Sequence, residues 1–212
     1  MRPFKTAFDP DFLSALQRGV LDYTYKGIAC LKSPLDLAIY TKLIWDLKPR
    51  TLIEIGTYKG GSALWFADPC SSFDLSTRIL SIDAECRPET SDHRIEFLKG
   101  DVRGLGHVLT PERMAGFSHP ILVVEDSAHT HDATLAALRF FNHVLGAGDV
   151  MIVEDGVLDE LDLSDQYDGG PNRAIGEFLA EPSCRFEIMA NYCDLFGPNA
   201  TYNPNGYLRV TR

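Results

Sequence analysis

No hydrophobic run in this 212-residue sequence is long enough to cross a membrane, and its first residues lack the basic-then-apolar pattern of a secretory leader. A transmembrane helix needs about 20 consecutive, mostly apolar residues, and a leader needs a positive segment ahead of an apolar one. We therefore expect no membrane partner and a cytoplasmic location.

Cysteine is scarce and scattered along the chain. There are five cysteines, with no C-x-x-C pair among them: Cys30, Cys70, Cys86, Cys184 and Cys193. An odd, dispersed set argues against a disulfide framework and against a zinc–thiolate site. It fits a protein that works in a reducing compartment.

Basic residues are also in short supply. The sequence has 20 Lys and Arg against 30 Asp and Glu, which gives a net charge of −10, and no cluster of basic residues interrupts the excess of acid. A protein that binds nucleic acid needs a basic patch to neutralise phosphates. We therefore expect a small-molecule partner and no nucleic acid.

The length of the chain suits one sizeable hydrophobic core, so we expect a single domain over residues 1–212. Asp9-Pro10 and Ser33-Pro34 are helix start signals, each a capping residue followed by proline at the first helical position. We expect residues 1–48 to form a helical lid or oligomer segment within that domain, and the protein to be a homodimer or a higher homo-oligomer.

From residue 51 onward, short apolar runs alternate with helical patterns. The predicted strands are Thr51–Ile55, Arg78–Asp83, Ile95–Leu98, Ile121–Glu125 and Val150–Glu154, and the predicted helices are Gly61–Ala67, Gly104–Ala115, His131–Leu145 and Pro171–Leu179. Continuous apolar strands between helices indicate an α/β fold, with a doubly wound, mostly parallel sheet and helices on both faces. Two later runs, Arg185–Met189 and Tyr207–Val210, predict an antiparallel hairpin at the sheet edge.

The first predicted strand ends in a glycine-rich loop, GTYKGGS at residues 56–62. The loop lacks the second glycine of a dinucleotide fingerprint and the lysine of a P-loop. The helix that follows it offers free N–H groups to a carboxylate, and Glu54 just before it could hold an ammonium. These features favour the methionine end of S-adenosylmethionine as the ligand. We expect it to be bound by Glu54 and by the loop residues Gly56, Thr57, Tyr58, Gly60 and Ser62. The alternative is a tight turn that binds no ligand.

Two further strand ends carry acidic residues suited to a nucleoside. Asp83 closes the second strand, where a carboxylate can accept both hydroxyls of a ribose, and Asp101 follows the third, where an adenine edge could bind. The alternative is that each of these aspartates is simply exposed to solvent after its strand and binds no ligand.

The fourth and fifth strand ends predict a metal site. Asp126 follows one strand, and Glu154 and Asp155 follow the other, so three carboxylates converge on the rim that also carries the cofactor loop. Such carboxylates repel one another unless a cation neutralises them, and oxygen ligands select Mg²⁺, with Mn²⁺ or Ca²⁺ as substitutes. Alternation along the strand turns Glu125 elsewhere, and Gly156 would let the chain turn so that both acids face the ion. The alternative is a set of solvated loop charges.

Two histidines follow Asp126. His129 lies in the loop, where a neutral imidazole could accept a proton as a general base, whereas His131 begins the next helix and is more typical of a capping or exposed residue. An open alternative is that Asp126, His129 and His131 bind Fe(II) as a two-histidine, one-carboxylate triad.

Two resemblances extend this interpretation. Residues 54–62, EIGTYKGGS, resemble the E-x-G-x-Y-x-G-x-S motif of catechol O-methyltransferases. Over residues 30–210 the chain is more similar to the cephalosporin hydroxylase-like family, which includes macrolide sugar O-methyltransferases. The shared elements, in order, are KSPLDL at 32–37, GGSAL at 60–64, DSAH at 126–129, IVED at 152–155 and NPNGYL at 203–208.

The resemblance implies a Rossmann-like class I methyltransferase fold with S-adenosylmethionine as methyl donor. It implies that Glu54, Gly56, Tyr58 and Ser62 surround the methionine end and that Asp83 binds the ribose. It further implies Mg²⁺ held by Asp126, Glu154 and Asp155, with His129 as general base. Catechol enzymes have lysine at that last position.

The expected activity is therefore a Mg-dependent O-methylation of a hydroxyl on a small molecule, either a catechol-like compound or another secondary metabolite. Two other classes of protein stay open at this point. One is an iron-dependent hydroxylase or other oxidoreductase, suggested by the paired histidines. The other is a non-catalytic nucleoside-binding subunit.

Overall fold

The structure is a computed structural model that describes residues 2–212. The helices are α1 Pro10–Asp22, α2 Pro34–Leu47, α3 Gly61–Ser72, α4 Pro111–Ala115, α5 His131–Val144, α6 Gly170–Leu179 and α7 Ala190–Cys193. The strands are β1 Thr24–Tyr25, β2 Ile28–Ala29, β3 Thr51–Ile55, β4 Arg78–Asp83, β5 Ile95–Lys99, β6 Ile121–Glu125, β7 Val150–Val153, β8 Phe186–Ile188 and β9 Tyr207–Val210.

Seven strands form one sheet in the order β5-β4-β3-β6-β7-β9-β8. Neighbours from β5 to β7 pair in parallel, and β9 pairs antiparallel with both β7 and β8. The strand order reverses between β3 and β6, and ligands of such sheets bind outside the carboxyl ends of the strands at that point. The predicted doubly wound fold with an antiparallel C-terminal edge is confirmed.

The strands are buried on both faces, as their continuous apolar runs predict. Ile53, Ile55 and Val123 belong to a core cluster shared with α4, α5 and α6. Leu52 and Val124, which alternate with them, belong to a second cluster shared with α2 and α3. The sheet therefore lies between two helical layers, which leave its strand ends at the edge where the site forms.

Some predicted boundaries differ from the structure. The helical stretch predicted over 104–115 splits into a 3₁₀ turn, Val102–His107, and the short α4. The split occurs because Thr110 caps a new helix by accepting a hydrogen bond from the backbone N–H of Arg113, with Pro111 at the first position. The last parallel strand ends at Val153, one residue earlier than predicted.

The hairpin of β1 and β2 was not predicted from the sequence. Its strands are only two residues each, too short for an alternating pattern. The hairpin packs on the start of α3, where a β-carbon on Gly61 would lie 2.1 Å from the carbonyl oxygen of Ala29. Gly61 is therefore required by contact with protein backbone.

The first helix covers segments from the far end of the chain. Leu13 and Val20 of α1 are buried with Val157 and Tyr202, and the side chain of Asp9 caps the helix as predicted. This places α1 beside the chain that follows β7, close to the carboxyl edge of the sheet. Among residues 2–212, no helix combines the length and the apolar character that crossing a membrane requires.

Candidate active site

A cavity of about 390 Å³ opens at the carboxyl ends of the parallel strands, within the usual size range of small-molecule sites. Most of the predicted site residues line it: Gly56, Thr57, Tyr58, Ser62, Asp83, Asp101, Asp126, His129 and Asp155. The other three predicted residues, Glu54, Gly60 and Glu154, are not part of the cavity lining. Most of the predicted cofactor loop and two of the three predicted metal ligands, Asp126 and Asp155, thus share one cavity.

Gly56 joins the two halves of the cavity. Its φ is +107°, and a β-carbon there would lie 2.0 Å from the carbonyl oxygen of Asp126. The backbone N–H of Asp126 in turn donates to the carbonyl of Ile55 at 2.8 Å. The close neighbour of Gly56 is thus the backbone of the adjacent loop, and this contact requires glycine at the position.

Glu54 is fully buried beneath the cofactor loop. Its Oε2 accepts a hydrogen bond from Ser81 Oγ at 2.5 Å, and the two residues are register partners on β3 and β4. Its Oε1 is buried and has no hydrogen-bond partner among residues 2–212. Burial raises the pKa of Glu54 to about 7. A buried carboxylate oxygen without a partner is costly, so this atom suits a cationic ligand group.

Asp83 organises the cofactor loop as well as lining the cavity. Its carboxylate accepts hydrogen bonds from the backbone N–H groups of Tyr58, Glu85 and Cys86, at 3.1, 2.8 and 3.1 Å. Burial raises the pKa of Asp83, but these donors outweigh burial and hold it below its usual value. Asp83 therefore stays ionised, and its carboxylate can still accept from a sugar hydroxyl, because each oxygen has two lone pairs.

Asp101 also lines the cavity. Its side chain caps the 3₁₀ turn by accepting from the backbone N–H of Arg103 at 2.8 Å. Tyr58, at φ +47°, is 57% exposed. Both residues are therefore accessible to a ligand that fills the cavity.

Asp126, His129 and Asp155 form a cluster in which one ligand atom from each lies within 4.8 Å of the others. His129 Nε2 is 3.4 Å from Asp155 Oδ2 and 3.9 Å from Asp126 Oδ1. Carboxylates with one imidazole at this spacing suit a hard or borderline divalent cation. The cluster therefore suits a divalent cation and contains two of the three predicted ligands, with His129 where Glu154 was expected.

Asp155 faces the cluster because the chain turns at that residue. It adopts φ +59°, a left-handed conformation, and its backbone N–H donates to Asn203 Oδ1 at 3.0 Å. The turn was predicted at Gly156, but Gly156 instead packs tightly, since a β-carbon there would lie 2.5 Å from Asn172 Oδ1.

Lys32 is a site residue that sequence reasoning missed. Its side chain is only 1% exposed, and its Nζ contacts Asp126 Oδ2 and lies 2.8 Å from Glu154 Oε1. Burial lowers the pKa of Lys32, but Asp126 and Glu154 raise it well above its usual value, so the ammonium is charged. Its one sequence signal was its place in the KSPLDL element.

The two glutamates beside the cluster face different partners. Glu154 Oε1 lies beside Lys32 without hydrogen-bond geometry, so it has no hydrogen-bond partner among residues 2–212. Burial, with Asp126 nearby, raises the pKa of Glu154. The hydroxyls of Ser127 and Thr134 donate to the carboxylate of Glu125, which is not one of the three residues of the cluster.

The environments of the two histidines differ. Burial lowers the pKa of His129, but the carboxylates around it, Asp155 first, outweigh burial and raise it. Its Nδ1 is buried without a partner among the described residues, and its ring lies edge-on to Tyr167 with centroids 6.0 Å apart. His131 Nε2 lies 2.9 Å from Glu177 Oε2 on α6. The structure therefore does not bring Asp126, His129 and His131 together as an iron triad.

Comparison with known proteins identifies the family. The family profile described as Rhamnosyl O-methyltransferase/CmcI matches residues 17–211. The chain belongs to this family. It is an O-methyltransferase by family, which agrees with the expected class of enzyme and with the resemblance to sugar O-methyltransferases.

Individual relatives agree with this assignment. Rhamnosyl O-methyltransferase of Mycobacterium leprae is 29% identical over 87% of this chain and 82% of its own length. The Mycobacterium tuberculosis H37Rv protein of the same name is 28% identical over 87% of this chain and 77% of its own. A solved structure of CmcI with Mg and SAM is 26% identical, has a TM-score of 0.69, and covers 91% of this chain and 78% of the CmcI chain.

Proposed function

We propose that this protein transfers a methyl group from S-adenosylmethionine to a hydroxyl of an uncharged sugar or related small molecule, with a divalent metal ion, Mg²⁺ by preference, at the acceptor oxygen. The observation that carries the proposal is the contact between Gly56 and Asp126. Through this contact the cofactor loop and the acidic cluster share one cavity, so that a methyl donor and an acceptor oxygen can meet there.

The cofactor assignment rests on unsatisfied polar groups. The ammonium of the methionine end would bind the free Oε1 of Glu54, and its carboxylate would lie at the N-terminus of α3. The ribose would bind Asp83, and the adenine would lie near Asp101. The loop would contribute the remaining contacts, through Gly56, Thr57, Tyr58, Gly60 and Ser62.

The metal would be held by Asp126 and Asp155, with Glu154 as the third carboxylate. When bound, it would lower the pKa of a coordinated hydroxyl and stabilise the developing negative charge. Mn²⁺ or Ca²⁺ would substitute, because the ligands are chiefly carboxylate oxygens.

His129 would take the proton from the acceptor hydroxyl. Its Nε2 faces the carboxylates at the cavity wall, and Asp155, at 3.4 Å, would orient the imidazole and stabilise it once protonated. General-base catalysis of this kind contributes about 10²–10⁴ in rate.

The acceptor class is suggested by the segment that follows the cluster. Residues 159–168 include five acids and no base, and Tyr167 brings this segment against His129. A phosphorylated acceptor would meet like charges there. The relatives' name, rhamnosyl O-methyltransferase, favours a sugar hydroxyl, and two adjacent oxygens on the acceptor would allow chelation of the ion.

The test is methyl transfer from labelled S-adenosylmethionine to three acceptors, a neutral rhamnoside, a catechol and a nucleotide-linked rhamnose, with Mg²⁺ or with excess chelator. We expect Mg²⁺-dependent transfer to the neutral compounds. Full activity in chelator would remove the metal from the reaction. Saturable cofactor binding without transfer to any acceptor would favour a non-catalytic subunit, and Fe(II)-dependent oxygen consumption would favour a hydroxylase.

Residues 1–48 complete the proposal. Because α1 packs beside the chain that follows β7, we expect α1 to cover the acceptor side of the cavity as part of that lid. A homodimer, a single domain over 1–212 and a cytoplasmic location remain our expectations for the protein.

A further inference from the structure

We propose that Lys32 is a positioning residue: an internal counter-ion that holds Asp126 and Glu154 in place before a divalent ion binds and that limits how tightly the ion binds. This inference rests on the proposed function, because it concerns the same acidic cluster. Lys32 is neither one of the predicted metal ligands nor the predicted base.

The contacts of Lys32 indicate a specific role. Its ammonium touches Asp126 Oδ2 and lies 2.8 Å from Glu154 Oε1, and its side chain is almost completely buried. The backbone N–H of Lys32 donates to the carbonyl of Cys30 at 2.8 Å, just before α2 begins. The ammonium is thus fixed by the fold rather than carried on a mobile surface chain.

Asp126 divides its two oxygens between two neighbours. Oδ2 faces Lys32, whereas Oδ1 faces His129 Nε2, on the side of the cluster that includes Asp155. One face of this carboxylate is therefore already neutralised by protein. The other face stays available to a metal ion, so the lysine and the ion would be neighbours and not competitors for one position.

The local charge accounts for both parts of the proposal. The cluster and its neighbour contribute three carboxylates, those of Asp126, Glu154 and Asp155, and the ammonium of Lys32 lies against two of them, Asp126 and Glu154. Without the ammonium, buried carboxylates would lack a cation, which is strongly destabilising. With the ammonium of Lys32 in place, the site keeps enough negative charge to bind a divalent ion. The ammonium also repels that ion, because the two positive charges would lie close together.

The experiment uses Lys32→Met, which keeps a similar apolar length and removes the charge. Thermal unfolding is measured in chelator and in excess Mg²⁺, and Mg²⁺ binding is measured by calorimetry, all without S-adenosylmethionine. In chelator we expect a lower Tm than for the unaltered protein. Mg²⁺ should bind about tenfold more tightly and should raise Tm more than in the unaltered protein, because a ligand of the folded state stabilises it.

Lys42→Met is the matched control. Lys42 pairs with Asp46 on the exposed surface of α2, so its loss should change neither Mg²⁺ affinity nor the response of Tm to Mg²⁺. Equal responses for Lys32→Met and the unaltered protein, or weaker Mg²⁺ binding by Lys32→Met, would overturn the proposal.

A second variant covers the case in which Lys32→Met does not fold. The double variant Lys32→Met/Glu154→Gln removes the carboxylate of Glu154 together with the ammonium of Lys32. We therefore expect a higher yield of folded protein and a higher Tm in chelator than for the single variant. A double variant that is no more stable than the single one would contradict a counter-ion role. These readouts need neither cofactor nor acceptor, so they are separate from failure of the proposed methyl transfer.

Discussion

The α-carbon of Gly56 lies so close to Asp126 that a β-carbon on it would be 2.0 Å from the Asp126 carbonyl oxygen. The end of β3 and the end of β6 therefore touch through their backbones. This contact sets the separation between the cofactor loop and the acidic cluster, and it is the basis of the first prediction.

Gly56→Ala should destabilise the protein by about 2 kcal/mol or more, because it combines a positive φ with a backbone clash. It should also weaken binding of S-adenosylmethionine. Thermal unfolding and calorimetry measure the two effects. Gly148→Ala is the control, since Gly148 has φ +91° but open space around a β-carbon. Equal losses in both variants would mean that backbone conformation, and not the contact with Asp126, determines the effect.

Cofactor affinity should depend on pH through Glu54. Burial raises the pKa of this carboxyl to about 7, so below pH 7 it is mostly protonated in the unliganded protein. It must lose that proton before it can pair with the ammonium of the cofactor. We expect affinity for S-adenosylmethionine to fall as pH decreases from 7.5 to about 5.5. Calorimetry at pH 6.5 in buffers with different heats of ionisation should detect the released proton. In Glu54→Gln the affinity should be weaker and nearly independent of pH.

The same carboxyl affects stability in the absence of ligand. Its pKa is raised on folding from 4.5 to about 7, so its contribution favours the folded state most below pH 4.5 and is lost as pH rises through 7. Glu54→Gln should remove that contribution to the pH dependence, which urea unfolding at several pH values would measure. An unchanged profile would mean that Glu54 titrates normally in the folded protein.

Asp126→Asn should abolish turnover and leave cofactor binding largely intact. The substitution removes a carboxylate from the cluster but keeps the backbone that contacts Gly56. Activity assays with Mg²⁺, together with calorimetry for S-adenosylmethionine, separate the two functions. Glu154→Gln should behave in the same way. Normal turnover in either variant would exclude that carboxylate from the reaction.

His129→Ala should lower kcat by about 10²–10⁴. His131→Ala is the matched control, because His131 pairs with Glu177 on α6 and lies outside the cluster; it should retain nearly full activity. A His129 variant with unchanged kcat would show that another group, or solvent, takes the proton.

The sequence predicted the parts of this protein that repeat a local pattern. The parallel strands emerge as apolar runs, and β3, β4 and β6 have the predicted bounds. The site residues at strand ends could be found for the same reason, since parallel strands bring their carboxyl ends to one edge.

The residues that were missed act across long sequence separations. Lys32 meets Asp126, which is 94 residues away, and Asn203 holds the backbone of Asp155 from 48 residues away. Neither contact has a periodic signal, because each depends on how a loop packs against the finished sheet. The left-handed turn at Asp155 was missed for the same reason, since local reasoning assigns such a turn to glycine.

The most direct test of the account is the distance between a bound ion and the methyl group of the cofactor. Mn²⁺, which is paramagnetic, would replace Mg²⁺, and proton relaxation of the S-methyl group of bound S-adenosylmethionine would be measured by NMR. The account predicts strong relaxation enhancement in the unaltered protein that disappears in Asp126→Asn. Simultaneous binding of both ligands without any enhancement would contradict it, because cofactor and metal would then occupy separate sites.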